Sequence, residues 1–272
     1  MNNSNSYSLR SNSYSSRNSE YPILSMQSMH SFKYNGMNSN DYGLRISGED
    51  TWTRPQPDVQ RIQIPGRNGD LVQLRNRYEN LDITYHCGII KNLQNNFDAF
   101  NAALLANPGY HRLEDSYHLD YYRMAVFESA LKPDVKERGV FGEVDITFNC
   151  KPQLFLKSGD VEITMTAGQT IYNPTQYTAF PTLRFSFGNS GIGGSITING
   201  RTISVQVPDT TEDLIIDCER QDIYRLRGRL NKNNIFVLSD GEFFELLPGR
   251  NVIQATGLYM DQIHIKPNWW SL

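Results

Sequence analysis

The chain has 272 residues, enough for one large domain or two ordinary ones. Its formal charge of −3 argues against a protein whose main work is neutralising phosphates, so no specific nucleic-acid binding is expected. No apolar run approaches the ~18 residues of a membrane span, and the first residues lack the charged and apolar regions of a secretory signal.

Residues 1–28 are rich in Ser and Asn and nearly devoid of aliphatic periodicity. Such a segment buries too little apolar surface to offset its ordering entropy, so it is expected to be a disordered arm, or one ordered only within an assembly. From Ser31 the texture changes. Phe32 to Tyr34 form a short aromatic strand followed by the turn formers Asn35 and Gly36. Residues 59–64 alternate apolar with polar side chains and predict a half-buried strand, and the turn cluster 65–70 separates it from another at 71–76. In the next strand, 81–90, Ile83, Tyr85 and Cys87 share one face while Asp82, Thr84 and His86 share the other.

Leu93, Phe97, Phe100 and Leu104 recur at helical spacing and predict a helix over residues 93–106, with Asn92 as its cap and Asn107-Pro108-Gly109 as its stop. Extended runs follow at 121–131 and 140–155, with turns at Lys132-Pro133-Asp134 and Glu137-Arg138-Gly139 between them. The second run sets Val144, Ile146 and Phe148 against Asp145, Thr147 and Asn149. The break at Lys157-Ser158-Gly159-Asp160 divides the chain into domains 29–157 and 158–272. Beyond it come only short strands, at 161–165, 182–187, 194–198, 201–207, 214–217, 235–238, 252–256 and 262–265. That spacing predicts an antiparallel β-sandwich, with Asn199-Gly200 as a two-residue hairpin turn. The fold class is therefore mostly β with one main α-helix.

Cys87, Cys150 and Cys218 are far apart and form no CxxC pair, so thiolate zinc is not expected. Each lies in a strand-like run and is predicted to be a reduced, buried residue. The densest chemistry is His111, Glu114, Asp115, His118 and Asp120. A metal or acid–base site needs these groups to converge, whereas strand alternation sends His111 and Glu114 to opposite faces and a turn at Asp115-Ser116-Tyr117 separates the histidines. The expected structure is instead a polar hairpin with a solvated tip. No nucleophile or phosphate-loop motif occurs, and the glycine-rich run 188–194 lies between strands rather than before a helix. No catalytic, cofactor-binding or metal-binding residue is assigned. Of the adjacent Trp269 and Trp270, at most one points into its own core; the other is free to stack on sugar or on another subunit.

Several segments together resemble the distal tail proteins of long-tailed, non-contractile bacteriophages. Ser31 to Gly36 with Tyr42-Gly43-Leu44-Arg45-Ile46 resembles the opening of that family, as does Ile64-Pro65-Gly66-Arg67-Asn68-Gly69-Asp70 leading to Tyr78-Glu79-Asn80. Pro108 to Asp115 through Tyr122-Arg123 is similar to its central segment, and Phe148 to Gln153 to the close of its first domain. Asp217-Cys218-Glu219, Leu247 to Asn251 and Pro267-Asn268-Trp269-Trp270 resemble its C-terminal half. The resemblance implies a virion protein without enzymatic activity or cofactor, made in the bacterial cytoplasm and placed at the distal tail tip. It further implies an N-terminal domain that builds a ring, commonly a homohexamer, and a galectin-like C-terminal sandwich. Implied partners are further copies of itself, the tail tube protein, the tail-tip hub or tail-associated lysin, the tape measure and receptor-binding proteins. The family pattern does not account for residues 1–28, and the large inserted carbohydrate-binding module of some relatives is not evident. The alternative is a carbohydrate-binding sandwich that acts in host adsorption.

Overall fold

The computed structural model describes residues 30–90, 93–137, 141–187, 193–205, 213–226, 231–256 and 260–272. The predicted leader 1–28, the cap Asn92 and most of the glycine-rich run lie outside the described residues. The first half holds strands β1 (Phe32–Tyr34), β2 (Met37–Asn38), β3 (Leu44–Ile46), β4 (Pro57–Ile62), β5 (Leu71–Tyr78) and β6 (Leu81–Ile90), then helix α1 (Leu93–Leu105). Strands β7 (His111–Asp115), β8 (Tyr121–Val126), β9 (Asp134–Glu137) and β10 (Phe141–Leu156) complete it. The second half holds β11 (Ile163–Met165), β12 (Thr170–Asn173), β13 (Thr182–Phe187), β14 (Gly194–Ile198), β15 (Arg201–Val205) and β16 (Leu214–Asp217). It ends with β17 (Asp222–Arg225), β18 (Phe236–Leu238), β19 (Gly249–Thr256), β20 (Met260–Lys266) and β21 (Trp270–Ser271). The fold is thus mostly β with one α-helix among the described residues.

The first core lies under an antiparallel sheet ordered β2-β1-β7-β8-β10-β6-β3, with β9 and β21 also paired to β10. Alternation decides which side is buried. Ile83, Tyr85, Cys87 and Ile89 of β6 turn inward beside Val144, Ile146, Phe148 and Cys150 of β10. Helix α1 seats Leu93, Phe100 and Leu104 on this core, with Phe97 partly buried. Phe148 is the common neighbour of four rings, with centroids 5.4 Å from Phe32, 4.8 Å from Tyr34, 6.0 Å from Tyr85 and 5.7 Å from Phe127. Register between β8 and β10 shifts between Cys150 and Leu154. Pro152 lies in that stretch and has no N–H to give a ladder, which explains why the interruption falls there.

The second core is shared by two five-stranded sheets, β11-β20-β13-β16-β17 and β12-β19-β14-β15-β18. Leu183, Phe185, Ile216 and Ile265 from one sheet meet Ile196, Ile198, Ile203 and Ile253 from the other, with Phe244, Leu246 and Trp269 filling between. The expected hairpin is present: Ile198 pairs with Arg201 across Asn199 (φ 52°) and Gly200 (φ 89°). Both turn residues adopt the left-handed backbone that Asn and Gly tolerate best.

Several expectations need correction. The run 121–131 stops being strand at Val126, and Asp134 and Glu137, read as turn formers, are the first and last residues of β9, with Val135 opposite Gly142 of β10. The Pro133 ring precedes that strand, so its missing N–H does not interrupt the ladder. Strands β12, β17 and β21 had no distinct signal. In β12, Asn173 occupies a buried position because its amide donates to the Tyr177 carbonyl (2.9 Å) and the Leu246 carbonyl (3.1 Å). A buried polar residue with its bonds satisfied can replace an apolar one, and a hydrophobic pattern does not register it.

All three cysteines are free and buried. Burial pushes the Cys150 thiol up to about 12 and those of Cys87 and Cys218 well above the ordinary range. Thiolate is the reactive form. In native protein all three thiols are therefore expected to resist a thiol-reactive dye that labels them promptly in denaturant; fast labelling of the native protein would contradict this burial.

Candidate functional site

The segment 111–120 folds as strand β7 and a tight turn, and the turn is not solvated as expected. Asp115 and His118 side chains are only 10% and 9% exposed. Asp115 Oδ1 accepts from the backbone N–H of Tyr117 (2.9 Å) and His118 (2.8 Å) and lies 3.0 Å from His118 Nδ1. Its Oδ2 accepts from the Tyr85 hydroxyl at 3.0 Å. The Trp52 ring covers His118 at 4.6 Å. Trp52 comes from a distant segment, so the sequence around the turn gives no sign of this burial. Burial pushes the Asp115 carboxyl up, but the hydrogen bond and charge of His118, with the Tyr85 and Tyr117 donors, outweigh it and hold the carboxyl below its usual range.

The remaining residues of the cluster do not join this pair. His111 sits at the other end of β7, where Nε2 lies 3.1 Å from the Asn107 carbonyl and the ring packs edge-on to Tyr34. Glu114 binds Arg112 and Lys157, each at 2.5 Å. Asp120 contributes its backbone carbonyl, which accepts from Lys157 N–H at 2.8 Å. Among the described residues no group of three or more His, Cys, Asp or Glu side chains is placed to hold a metal ion. The arrangement stabilises a turn. Asp115→Ala strands four donors at once and is expected to cost about 3 kcal/mol. Because the native carboxyl is held low, its contribution is present above about pH 4, the ordinary carboxylate value, and is lost as pH falls through the lowered one. Urea unfolding at neutral and acid pH checks both points: the variant's deficit should shrink in acid, and an equal deficit at both would contradict the role.

The two cores meet at residues 156–160. Asp160 binds Arg112 of the first core (2.6 Å) and Lys266 of the second (3.0 Å). Burial raises the Asp160 carboxyl, but Lys266 and Arg112 overcome it and lower it. The Arg112 guanidinium also lies 3.9 Å over the Tyr122 ring. The chain then returns: Trp269 is buried in the second core, while β21 adds to the first sheet, with Trp270 opposite Phe155 and Ser271 opposite Leu154. Gly159 lies directly against Trp269, and its carbonyl accepts from Asn268 N–H at 2.8 Å. As expected, only one of the two Trp residues is in the core. Trp270 stacks on Tyr177 with centroids 4.5 Å apart, and its indole N–H donates to the Thr178 carbonyl at 2.9 Å.

The clearest candidate for an interaction surface is the β4–β5 hairpin. It was expected to be half-buried, yet among the described residues these strands pair only with each other and leave both faces bare. Val59 faces Leu74 and Arg61 faces Val72 across the pair, with Val72 55% and Leu74 64% exposed. Ile62 and Leu71 are exposed on the opposite side. Only Asp58 is buried within the two strands, held by Arg77 at 2.6 Å with Arg75 at 3.8 Å. An isolated two-stranded hairpin is marginal in water, and apolar side chains alternating on it gain nothing until something covers them.

Comparison with protein-family models and with curated proteins finds no match. Among solved structures, the chain is similar to the Dit protein of SPP1, described as a paradigm of the hub adsorption apparatus in phages infecting Gram-positive bacteria. The TM-score is 0.64 at 16% identity, over 86% of this chain and 96% of that one. Two structures of the phage P2 baseplate in its activated conformation, one with Ca and one with Sr, match with TM-scores of 0.52 and 0.51. Each is 9% identical and covers 86% of this chain and 96% of the other. At such identities the likeness is one of fold. The chain has the fold of phage tail hub proteins, in agreement with the resemblance carried by its sequence segments.

Proposed function

We propose that this chain is a distal tail protein, a structural part of a phage virion that forms the hub ring at the end of the tail. Residues 29–157 form the ring, commonly a homohexamer in the family resembled, and residues 158–272 form a galectin-like sandwich directed outward. The tail tube protein, the tail-tip hub or lysin and the receptor-binding proteins are its neighbours, and it carries no catalysis. The observation that supports this reading best is the β4–β5 hairpin, which presents apolar side chains on both faces and, among the described residues, joins no other sheet. A projection that fits a different surface on an identical neighbour is a heterologous contact, and such contacts build a ring when the rotation between copies closes. The shared fold with the SPP1 hub protein points the same way.

The carbohydrate-binding alternative draws on the terminal Trp pair. Trp269 is buried, and Trp270 has one ring face on Tyr177 and its N–H on Thr178, so one indole and part of the other are already engaged within the chain. Native mass spectrometry of the purified full chain tests the main reading. A discrete closed oligomer is expected; a strict monomer at high concentration would refute it.

A further inference from the structure

A small cavity lies beside the buried turn, lined by Tyr85, Leu113, Asp115, His118, Arg123 and Leu154 among others. Its volume is about 10 Å³, room for one water molecule and no more. Among the described residues, two polar atoms of its lining have no hydrogen-bond partner, His118 Nε2 and Arg123 Nη1. Both belong to buried groups: the His118 side chain is 9% exposed and Arg123 is 6% exposed. The other terminal nitrogen of Arg123 makes only a long 3.5 Å contact with the Thr53 carbonyl. Buried donors and acceptors are rarely left unsatisfied, least of all on a guanidinium.

The polarity of the two atoms selects the occupant. A carboxylate oxygen at 3.0 Å accepts the hydrogen bond of His118 Nδ1–H, so Nε2 presents a lone pair on a neutral ring and an N–H on a charged one. Arg123 can only donate. The bridging molecule must therefore accept from Arg123, and must meet either a lone pair or an N–H on His118. Water can meet either, whereas a halide only accepts and is larger than the space. We propose that this cavity is a binding site for a single internal water molecule that accepts from Arg123 Nη1 and hydrogen-bonds to His118 Nε2. The water completes a chain running Tyr85, Asp115, His118, water, Arg123, which ties β6 to β8 through the turn. It also links the Arg123 cation to the Asp115 anion through hydrogen bonds without direct contact. An ordered water that makes bonds on both sides is enthalpically close to a direct hydrogen bond.

The test is a crystal structure of the full chain at a resolution that orders single waters, with a parallel bromide soak. One peak within hydrogen-bond distance of both atoms, without anomalous signal from bromide, is the expected result. An empty cavity, or a bromide peak, would overturn the proposal, the latter assigning the site to an anion on a protonated ring. In Arg123→Met the peak should be lost while the turn keeps its course. If that variant does not fold, oxygen-17 relaxation dispersion on wild type and His118→Phe provides a second reading. One fewer long-lived water in the variant is expected, and an unchanged number would contradict the site.

Discussion

The double variant Val72→Asp, Leu74→Asp is expected to purify as a monomer with an unaltered melting temperature. Both side chains are more than half exposed on a hairpin that supports neither core, so the fold should register the change by no more than about 0.5 kcal/mol. Assembly should register far more. Burying a Val or Leu side chain is worth about 1.5–3 kcal/mol, so the pair contributes about 3–6 kcal/mol to each protomer contact. Losing it weakens every contact by roughly two to four orders of magnitude, before the cost of burying two carboxylates. Native mass spectrometry and calorimetry on the same sample separate the outcomes. An intact ring would remove the hairpin from the interface, and a lowered melting temperature would mean that it packs on its own chain.

Gly159→Ala is expected to release the C-terminal segment from the joint between the two cores. A Cβ at this position would lie 2.3 Å from the Trp269 backbone nitrogen and 3.1 Å from its Cα. A backbone atom cannot rotate aside as a side chain can, so Trp269 and its neighbours must move. That movement costs the bonds from Asn268 N–H to Gly159 and from Leu156 N–H to Trp269, the β21 pairing with β10, and the seating of Trp269 in its core. Overpacking of this kind costs about 1–3 kcal/mol, and expelling a core Trp raises the penalty to about 3–5 kcal/mol. A red shift of tryptophan emission together with an earlier denaturation midpoint is the expected signature. Wild-type emission and midpoint would show that the joint has slack the structure does not display.

Much of the architecture was legible in the chain. The alternation in β6 and β10 correctly placed Ile83, Tyr85, Val144 and Phe148 inward, the spacing of Leu93, Phe100 and Leu104 gave the helix, and Asn199-Gly200 gave its hairpin. What stayed hidden depends on distant partners. An alternating strand looks the same whether its apolar face meets its own core or another molecule, so residues 59–64 read as half-buried. Asp115 and His118 read as a solvated tip because only the fold brings Trp52 and Tyr85 onto them. The short strand β21 could not be anticipated either, since two residues carry no period and its place is set by Trp269 anchoring in the second core. The histidine–carboxylate density that suggested chemistry resolves into a capped turn and a set of ion pairs joining the cores.

The central claim is that this chain closes into a ring at the distal end of a phage tail, held by the β4–β5 hairpin. Cryo-electron microscopy of the tail tip of the virion tests it most directly. The expected map contains a closed ring of this chain coaxial with the tail tube, with Val72 and Leu74 of each copy covered by the next. A tail tip without the chain, or a ring in which that hairpin stands free in solvent, would contradict it.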